Sequence, residues 1–457
     1  MTTRVDGGLS VALVCTALSG AVIGSVGAPL ITPVATGMHV SLGAAQWTLT
    51  VTLFSGAIAG PVLGRLGGGP YRRVTILATL ALVMVGGLLT VLPLPFAALL
   101  IGRALQGLAV AAGALLMSVA RAHLPAERSV STIAAISVAS TVGIGVGYPL
   151  ISLLDQLAGL RAAYGLGFLL SAVALAIAWR ILPIEEPGEL PRIDVPGALL
   201  LALGTLGILL VIAAPSIWAN AWLAGGLLAG SAAVLAVWAF LELRTKTPLV
   251  DLRLLGQGPI LRANLAILVA GAGLYLLFSL FTRYVQTPGD ARYGFALPGV
   301  AAGAALIPFS LLGFAAGKAV PRLSARITER WTYTLSVVIA MAGALLFAVG
   351  NESLFVVLAA IAVLGFAVGG VFAVMPKLVL VGVPREETAS VLSINQIARS
   401  MGMSVGSALA GFLLAATTPD GALLPTRNGY LTTALWALPL LAVSALIVAG
   451  TPRRAAS

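Results

Sequence analysis

The sequence predicts an all-α integral membrane protein: two six-helix bundles with a helical pair inserted between them, fourteen transmembrane helices in all. Three observations carry that expectation. Of 457 residues, 26 are Lys or Arg and 15 are Asp or Glu, while 59% are hydrophobic; soluble domains carry roughly 25% charged residues. The apolar residues fall in continuous runs of about 20, the length that crosses the hydrocarbon core as a helix. Those runs lack the alternation of barrel strands, and in lipid only helices and closed barrels satisfy their own backbone.

The elements follow in order. Spans are expected to start near residues 9, 44, 74, 96, 130 and 161 in a first bundle over 1–182. An acidic, Pro-rich linker, Pro183 to Asp194 with Glu185, Glu186 and Glu189, ends that bundle. Two further spans start near 195 and 220, and a second linker runs from Glu242 to Gly258, so that 183–258 separates the halves. Spans near 259, 295, 331, 354, 390 and 430 complete a second bundle over 259–457. Two six-span halves are typical of transporters, which place their site between repeats. The first run follows only Arg4 and reads as a span, not a cleaved leader. The single Cys15 excludes an intramolecular disulfide.

The net charge of +11 reports topology. With both termini cytoplasmic, 20 Lys and Arg fall on the cytoplasmic side and 4 outside (Arg161, Arg283, Arg292 and Arg427), leaving Arg103 and Arg399 inside spans. That is a positive-inside bias, and it argues against nucleic acid as the partner of the basic charge. Trp179, Trp238, Trp331 and Tyr333 sit at cytoplasmic ends, and Trp218 and Trp222 flank the outer turn of the inserted pair. The expected setting is the plasma membrane, with the lipid bilayer and a small-molecule substrate as partners. No metal-ligand cluster and no phosphate-cradling loop with a following Lys-Ser or Lys-Thr occurs, which argues against ATP.

Several short patterns lie on this frame. The turn after span two runs from Gly64 to Arg73 with arginines at 65, 72 and 73, and the turn after span ten echoes it from Gly317 to Arg326. Span four holds Arg103 and Gln106; span five holds Gly143, Gly147, Tyr148 and Pro149; span thirteen holds Asn395, Arg399 and Gly402. Pro248, Asp251 and Arg253 precede span nine. In this order and spacing the patterns resemble the major facilitator superfamily, in particular its fourteen-span drug:proton antiporter branch, across essentially the whole chain. The resemblance implies the major facilitator fold and export of an amphipathic drug, antibiotic or secondary metabolite by alternating access. It further implies protons as counter-ion, no cofactor, and a monomer as the working unit.

It also assigns roles. Arg103 matches the arginine associated with proton coupling, and Gly143, Gly147 and Pro149 match the antiporter signature. Gly64, Arg72 and Arg73 match the gating loop. The loop's aspartate is replaced by Gly68 and its later glycine by Tyr71, so a loop charge pair cannot form as in relatives. The usual double glycine after the proline is Ile151-Ser152, and the span-one aspartate is Gly20.

A guanidinium does not deprotonate, so Arg103 must snorkel, pair, or line a wet cavity. Two readings stand: it bonds helix carbonyls and fixes packing, or it faces a cavity and tunes cargo or proton binding. Candidate cargo contacts are Arg103, Gln106, Trp47, Tyr148, Asn395 and Arg399, each weighed against ordinary packing or interface anchoring. The 15 acids fall in loops or at span ends. The chain is therefore expected to couple weakly, to use Asp155 or Glu242, or to take neutral or anionic cargo drawn by Arg103 and Arg399. Gly402-Met-Ser404-Val-Gly406 matches a nucleophile-elbow string but lies in an apolar helix without a histidine or acid nearby; it reads as packing, and no enzyme is expected. A proton-independent facilitator or importer, and a transport-inactive receptor or scaffold, are the alternatives.

Overall fold

The computed structural model describes residues 2–450 apart from 28, 41, 68, 186–193, 214–216, 218–219, 246–247, 249–251, 257, 288–292, 298, 382, 384–387 and 420–424. Among the described residues the ordered elements are helices, with no strand. They are α1 (Thr2–Ser25), α2 (Ile31–Gly37), α3 (Leu42–Leu66), α4 (Arg72–Val91), α5 (Phe96–His123), α6 (Ala126–Ile181), α7 (Val195–Ala213) and α8 (Ala221–Arg244). There follow α9 (Leu252–Leu255), α10 (Gly258–Gln286), α11 (Gly299–Ala304), α12 (Ile307–Ile327), α13 (Glu329–Gly350), α14 (Leu354–Val379), α15 (Thr388–Ala416) and α16 (Arg427–Ala449).

Twelve segments among the described residues are long and apolar enough to cross a membrane, against the fourteen expected. Two differences account for the count. The expected spans five and six form one continuous assignment, α6, broken only at Gly159 with φ 80°. Only glycine adopts that conformation at little cost, so the chain turns there between two helical lengths. The apolar stretch of α7, Val195–Ile208, is the shorter one. The second linker also starts later than expected, since helix α8 continues through Glu242 to Arg244.

Local chemistry sets the helix limits. Pro95 and Pro125 precede α5 and α6, where a missing N–H costs nothing. The Asn220 side chain caps α8 by accepting from the backbone N–H of Trp222 and Leu223 at 3.1 and 3.2 Å. Thr426 caps α16 by accepting from Gly429 N–H at 3.0 Å. Such caps satisfy donors that the first helical turn leaves open.

Clustering of contacts divides the chain into one unit of Met1–Leu254 with Val383–Ile397 and a second of Leu255–Gly382 with Ala398–Ser457. In the first, helices meet where glycine removes a side chain. A Cβ at Gly56 would lie 2.8 Å from Gly107 O, joining α3 to α5, and one at Gly86 would lie 2.6 Å from Gly102 O, joining α4 to α5. Gly143 and Gly147 of α6 face α1; their Cβ atoms would lie 2.5 Å from Ala21 Cβ and 2.5 Å from Ser25 Oγ. Lipid-solvated helices associate by close packing because the tails offer no hydrophobic drive, so such small-residue seams hold the bundle. The second unit repeats the device: Gly365 and Gly369 of α14 abut Phe309 and Gly313 carbonyls of α12, while Gly402 and Gly406 of α15 abut Leu268 and Ala272 carbonyls of α10. Tyr333 and Ser444 share a 2.7 Å hydrogen bond, and Ser444 donates to Ala266 O at 2.9 Å, which ties α13, α16 and α10 together.

Candidate functional site

The polar centre of the first unit is built on α5. Arg103 and Gln106 stand three residues apart, so both project from one helix face, and both are 0% exposed. Arg103 Nε donates to Thr48 O of α3 at 3.2 Å, and Nη1 donates to Ile23 O of α1 at 3.2 Å and to Gln106 Oε1 at 2.6 Å. Among the described residues, Arg103 Nη2 and Gln106 Nε2 are buried without a hydrogen-bond partner. Gly27 makes room for the guanidinium, since a Cβ there would lie 2.8 Å from Nη2, and Gly167 does the same for Gln106 Nε2 at 3.2 Å. A polar stripe on α3 packs against this part of α5. Thr52 Oγ1 donates to Arg103 O at 3.1 Å and Ser55 Oγ to Ala104 O at 2.6 Å. Tyr164 of α6 is buried in an apolar cluster with Val26, Leu30, Val34 and Leu99.

The guanidinium thus rests on the negative ends of carbonyl dipoles and a side-chain amide. Among the described residues no carboxylate pairs with it. Of the other expected contacts, Trp47 (α3) and Tyr148 (α6) are partly buried, and Asn395 (α15) is buried and belongs to the first unit. Arg399 belongs to the second unit, where its guanidinium lies over the Phe372 ring at 4.4 Å. Fixed charge over a ring face is a cation–π contact. Pro149 lies inside α6, two residues past Gly147.

The loop after α3 lacks the acid that relatives carry within it. A charge pair does form there, with an acid from a different place. Arg72 Nη1 donates to Glu185 Oε1 at 2.6 Å, and Arg72 Nε donates to Gly67 O at 3.1 Å. His123 Nε2, at the end of α5, lies 3.6 Å from the same carboxylate oxygen. Gly64 ends the buried face of α3, and Arg73 Nη2 donates to Trp179 O at 2.8 Å. The signal for Glu185 was its position in the acidic linker after span six, facing a turn of like-signed arginines. Gly68, Glu186, Glu189 and Asp251 lie outside the described residues.

Two acids stand at helix ends. Asp155 is partly buried in α6, four residues before the Gly159 break. Glu242, in the last turn of α8, is 1% exposed. A Cβ at Gly197 would lie 2.5 Å from Asp194 Oδ2 and 2.9 Å from Glu242 Oε2, so both carboxylates converge on that glycine.

A bundle of membrane-length helices with a buried charged group in one unit defines a multi-pass membrane protein. The family model of the Major Facilitator Superfamily matches residues 12–407, and the chain belongs to that superfamily. It is 29% identical over 262 residues to a triacylglyceride transporter of Mycobacteroides abscessus, covering 54% of this chain and 49% of that one. It is 27% identical over 252 residues to an uncharacterized MFS-type transporter of Mycobacterium tuberculosis, covering 52% of this chain and 36% of that one. The chain thus spans half or less of the length of these curated relatives. In structure it is similar to the human organic anion transporter MFSD10 (TETRAN), with a TM-score of 0.65 and 16% identity over 97% of this chain and 99% of that one. The POT family transporter PepTSo gives a TM-score of 0.62 at 17% identity, covering 97% of each chain. Both likenesses concern the fold.

Proposed function

We propose that the chain is a fourteen-span exporter of a small amphipathic organic compound, of the drug, antibiotic or secondary-metabolite kind. It works as a monomer by alternating access between halves 1–182 and 259–457, in exchange for protons. The count of fourteen divides α6 at Gly159 and takes α7 as a span. The chain's setting is the plasma membrane with both termini cytoplasmic, an orientation that the positive-inside bias supports. The observation that carries the reading is the Arg103–Gln106 cluster, because charge inside spans is costly and marks function. Cargo contacts are assigned to Arg103, Gln106, Trp47, Tyr148, Asn395 and Arg399. The seam of Gly143, Gly147 and Pro149, with Gly64, Arg72 and Arg73, is assigned to the movement. Asp155 and Glu242 are the acids assigned to proton exchange.

The test is efflux of a lipophilic cationic dye from an efflux-deficient host, with and without collapse of the pH gradient. Gradient-dependent efflux that Asp155→Asn or Glu242→Gln abolishes supports the antiporter reading. Absence of efflux from a well-expressed protein supports the second reading, a carrier of neutral or anionic amphipaths without proton coupling. The likeness to the mycobacterial triacylglyceride transporter favours that second reading, and flux of a labelled glyceride into liposomes tests it directly. A protein that moves neither would be a transport-inactive receptor or scaffold.

A further inference from the structure

The surface of the first unit carries an apolar groove of about 570 Å³ between α4 and α6. Its floor is small: Ala78 and Ala81 on α4, Ala172 and Ala176 on α6. Spacings of three and four residues put each pair on one helix face. Val74 and Trp179 wall its end and are 61% and 63% exposed. From Val74 to Ala81 the groove follows the helix for roughly 10 Å at the usual rise per residue.

That same end is charged. Arg73 immediately precedes Val74, and Arg180 immediately follows Trp179. Arg73 donates to Trp179 O, and its Nε is buried without a hydrogen-bond partner. Arg180 is exposed. Among the described residues neither forms an ion pair, and Glu185 is taken by Arg72. The end of the trough at Trp179 thus carries one arginine bonded to it and a second next to it in sequence. Trp favours the level of the lipid headgroups, and basic pockets between spans hold anionic headgroups.

We infer that this groove binds one acyl chain of an anionic glycerophospholipid, whose phosphate is held by Arg73 and Arg180 beside the Trp179 ring. The alanine floor admits the chain, and the two guanidiniums select the headgroup. The inference rests on the membrane setting and not on the proposed cargo, so the two stand or fall separately.

The experiment uses the full chain in phosphatidylcholine nanodiscs with small added fractions of brominated phosphatidylglycerol or brominated phosphatidylcholine. Subtracting the signal of Trp179→Phe isolates quenching at the groove. Brominated phosphatidylglycerol is expected to quench Trp179 saturably, at a several-fold lower fraction than brominated phosphatidylcholine. Arg73→Gln and Arg180→Gln are each expected to weaken that preference about fivefold, the effect of one basic group at a lipid surface. Arg180 is exposed, so its variant reads the headgroup without a folding complication. Ala172→Phe fills the trough and is expected to remove saturable quenching by either lipid. Soluble glycerol phosphate is expected not to displace the brominated lipid; displacement would make this a free-phosphate site and overturn the inference. Equal quenching by both lipids, unchanged in the arginine variants, would reduce the groove to ordinary lipid contact and overturn it as well.

Discussion

Arg103 is held by backbone carbonyls on two neighbouring helices and by an amide on its own. A lysine cannot reproduce that fork, because its single ammonium lacks the planar spread of five donors. Arg103→Lys and Arg103→Ala are both expected to lower cargo flux by at least about tenfold, since charge-assisted hydrogen bonds contribute roughly 1.5–3 kcal/mol each. Flux in liposomes and thermal unfolding of the same samples check this. Flux at the parent level would assign the residue to packing alone. The sequence reveals the charge and its depth, because a lone arginine in an apolar run stands out. It does not reveal the acceptors: Ile23 O and Thr48 O belong to the backbone, and any residue type supplies a carbonyl. The stripe Thr48, Thr52 and Ser55 was readable, as polar residues at i, i+4 and i+7 of an apolar helix share a face.

At the scale of elements, the α1–α6 seam and the Arg72–Glu185 pair make opposite kinds of contact. Gly147→Leu places carbon where Ser25 Oγ already lies, within 2.5 Å of the new Cβ. Overpacking of this kind is expected to cost about 1–3 kcal/mol, read as a lower unfolding temperature. Gly113→Ala is the matched control, because nothing lies within 4 Å of a Cβ there. The ion pair, with side chains 10% and 14% exposed, lies between surface and buried cases. Removing either partner is expected to cost about 1–3 kcal/mol. A double-mutant cycle over Arg72→Gln and Glu185→Gln should return a coupling of at least about 0.5 kcal/mol; additive single effects would deny the pair any role. The span starts were legible because apolar runs have ends that charges and prolines mark. The break at Gly159 falls beside the span start expected near 161, which Asp155, Gln156 and Arg161 mark. The seven-residue α2 was not legible, because it does not interrupt hydropathy.

At the scale of the molecule, the question is how many times the chain crosses the bilayer. With Cys15 replaced by serine, single cysteines at Ile184, Asn220 and Glu352 report sidedness to a membrane-impermeant maleimide. Asn220→Cys and Glu352→Cys are expected to react in intact cells, and Ile184→Cys only after permeabilisation. If Asn220→Cys instead behaves as Ile184→Cys does, α7 and α8 do not cross, and the proposed fourteen spans fall to twelve. The bundle organisation was readable from linker composition and from the matched glycine-arginine turns. The motif-based antiporter assignment reads a pattern of residue types and leaves the chemistry of the cargo to experiment.

The guanidinium of Arg103 keeps its charge across the physiological pH range, and a fixed charge acts at a distance. In a medium of effective dielectric near 20, a monovalent ion 10 Å from the guanidinium feels about 1.7 kcal/mol. That is roughly a fifteenfold bias in local population between an anion and a neutral molecule of the same shape, and about 250-fold between an anion and a cation. On the proposed function, the residue would act as an electrostatic sieve that no change of pH in the physiological range switches off. Cargo selectivity by charge sign should consequently stay flat across the physiological pH range.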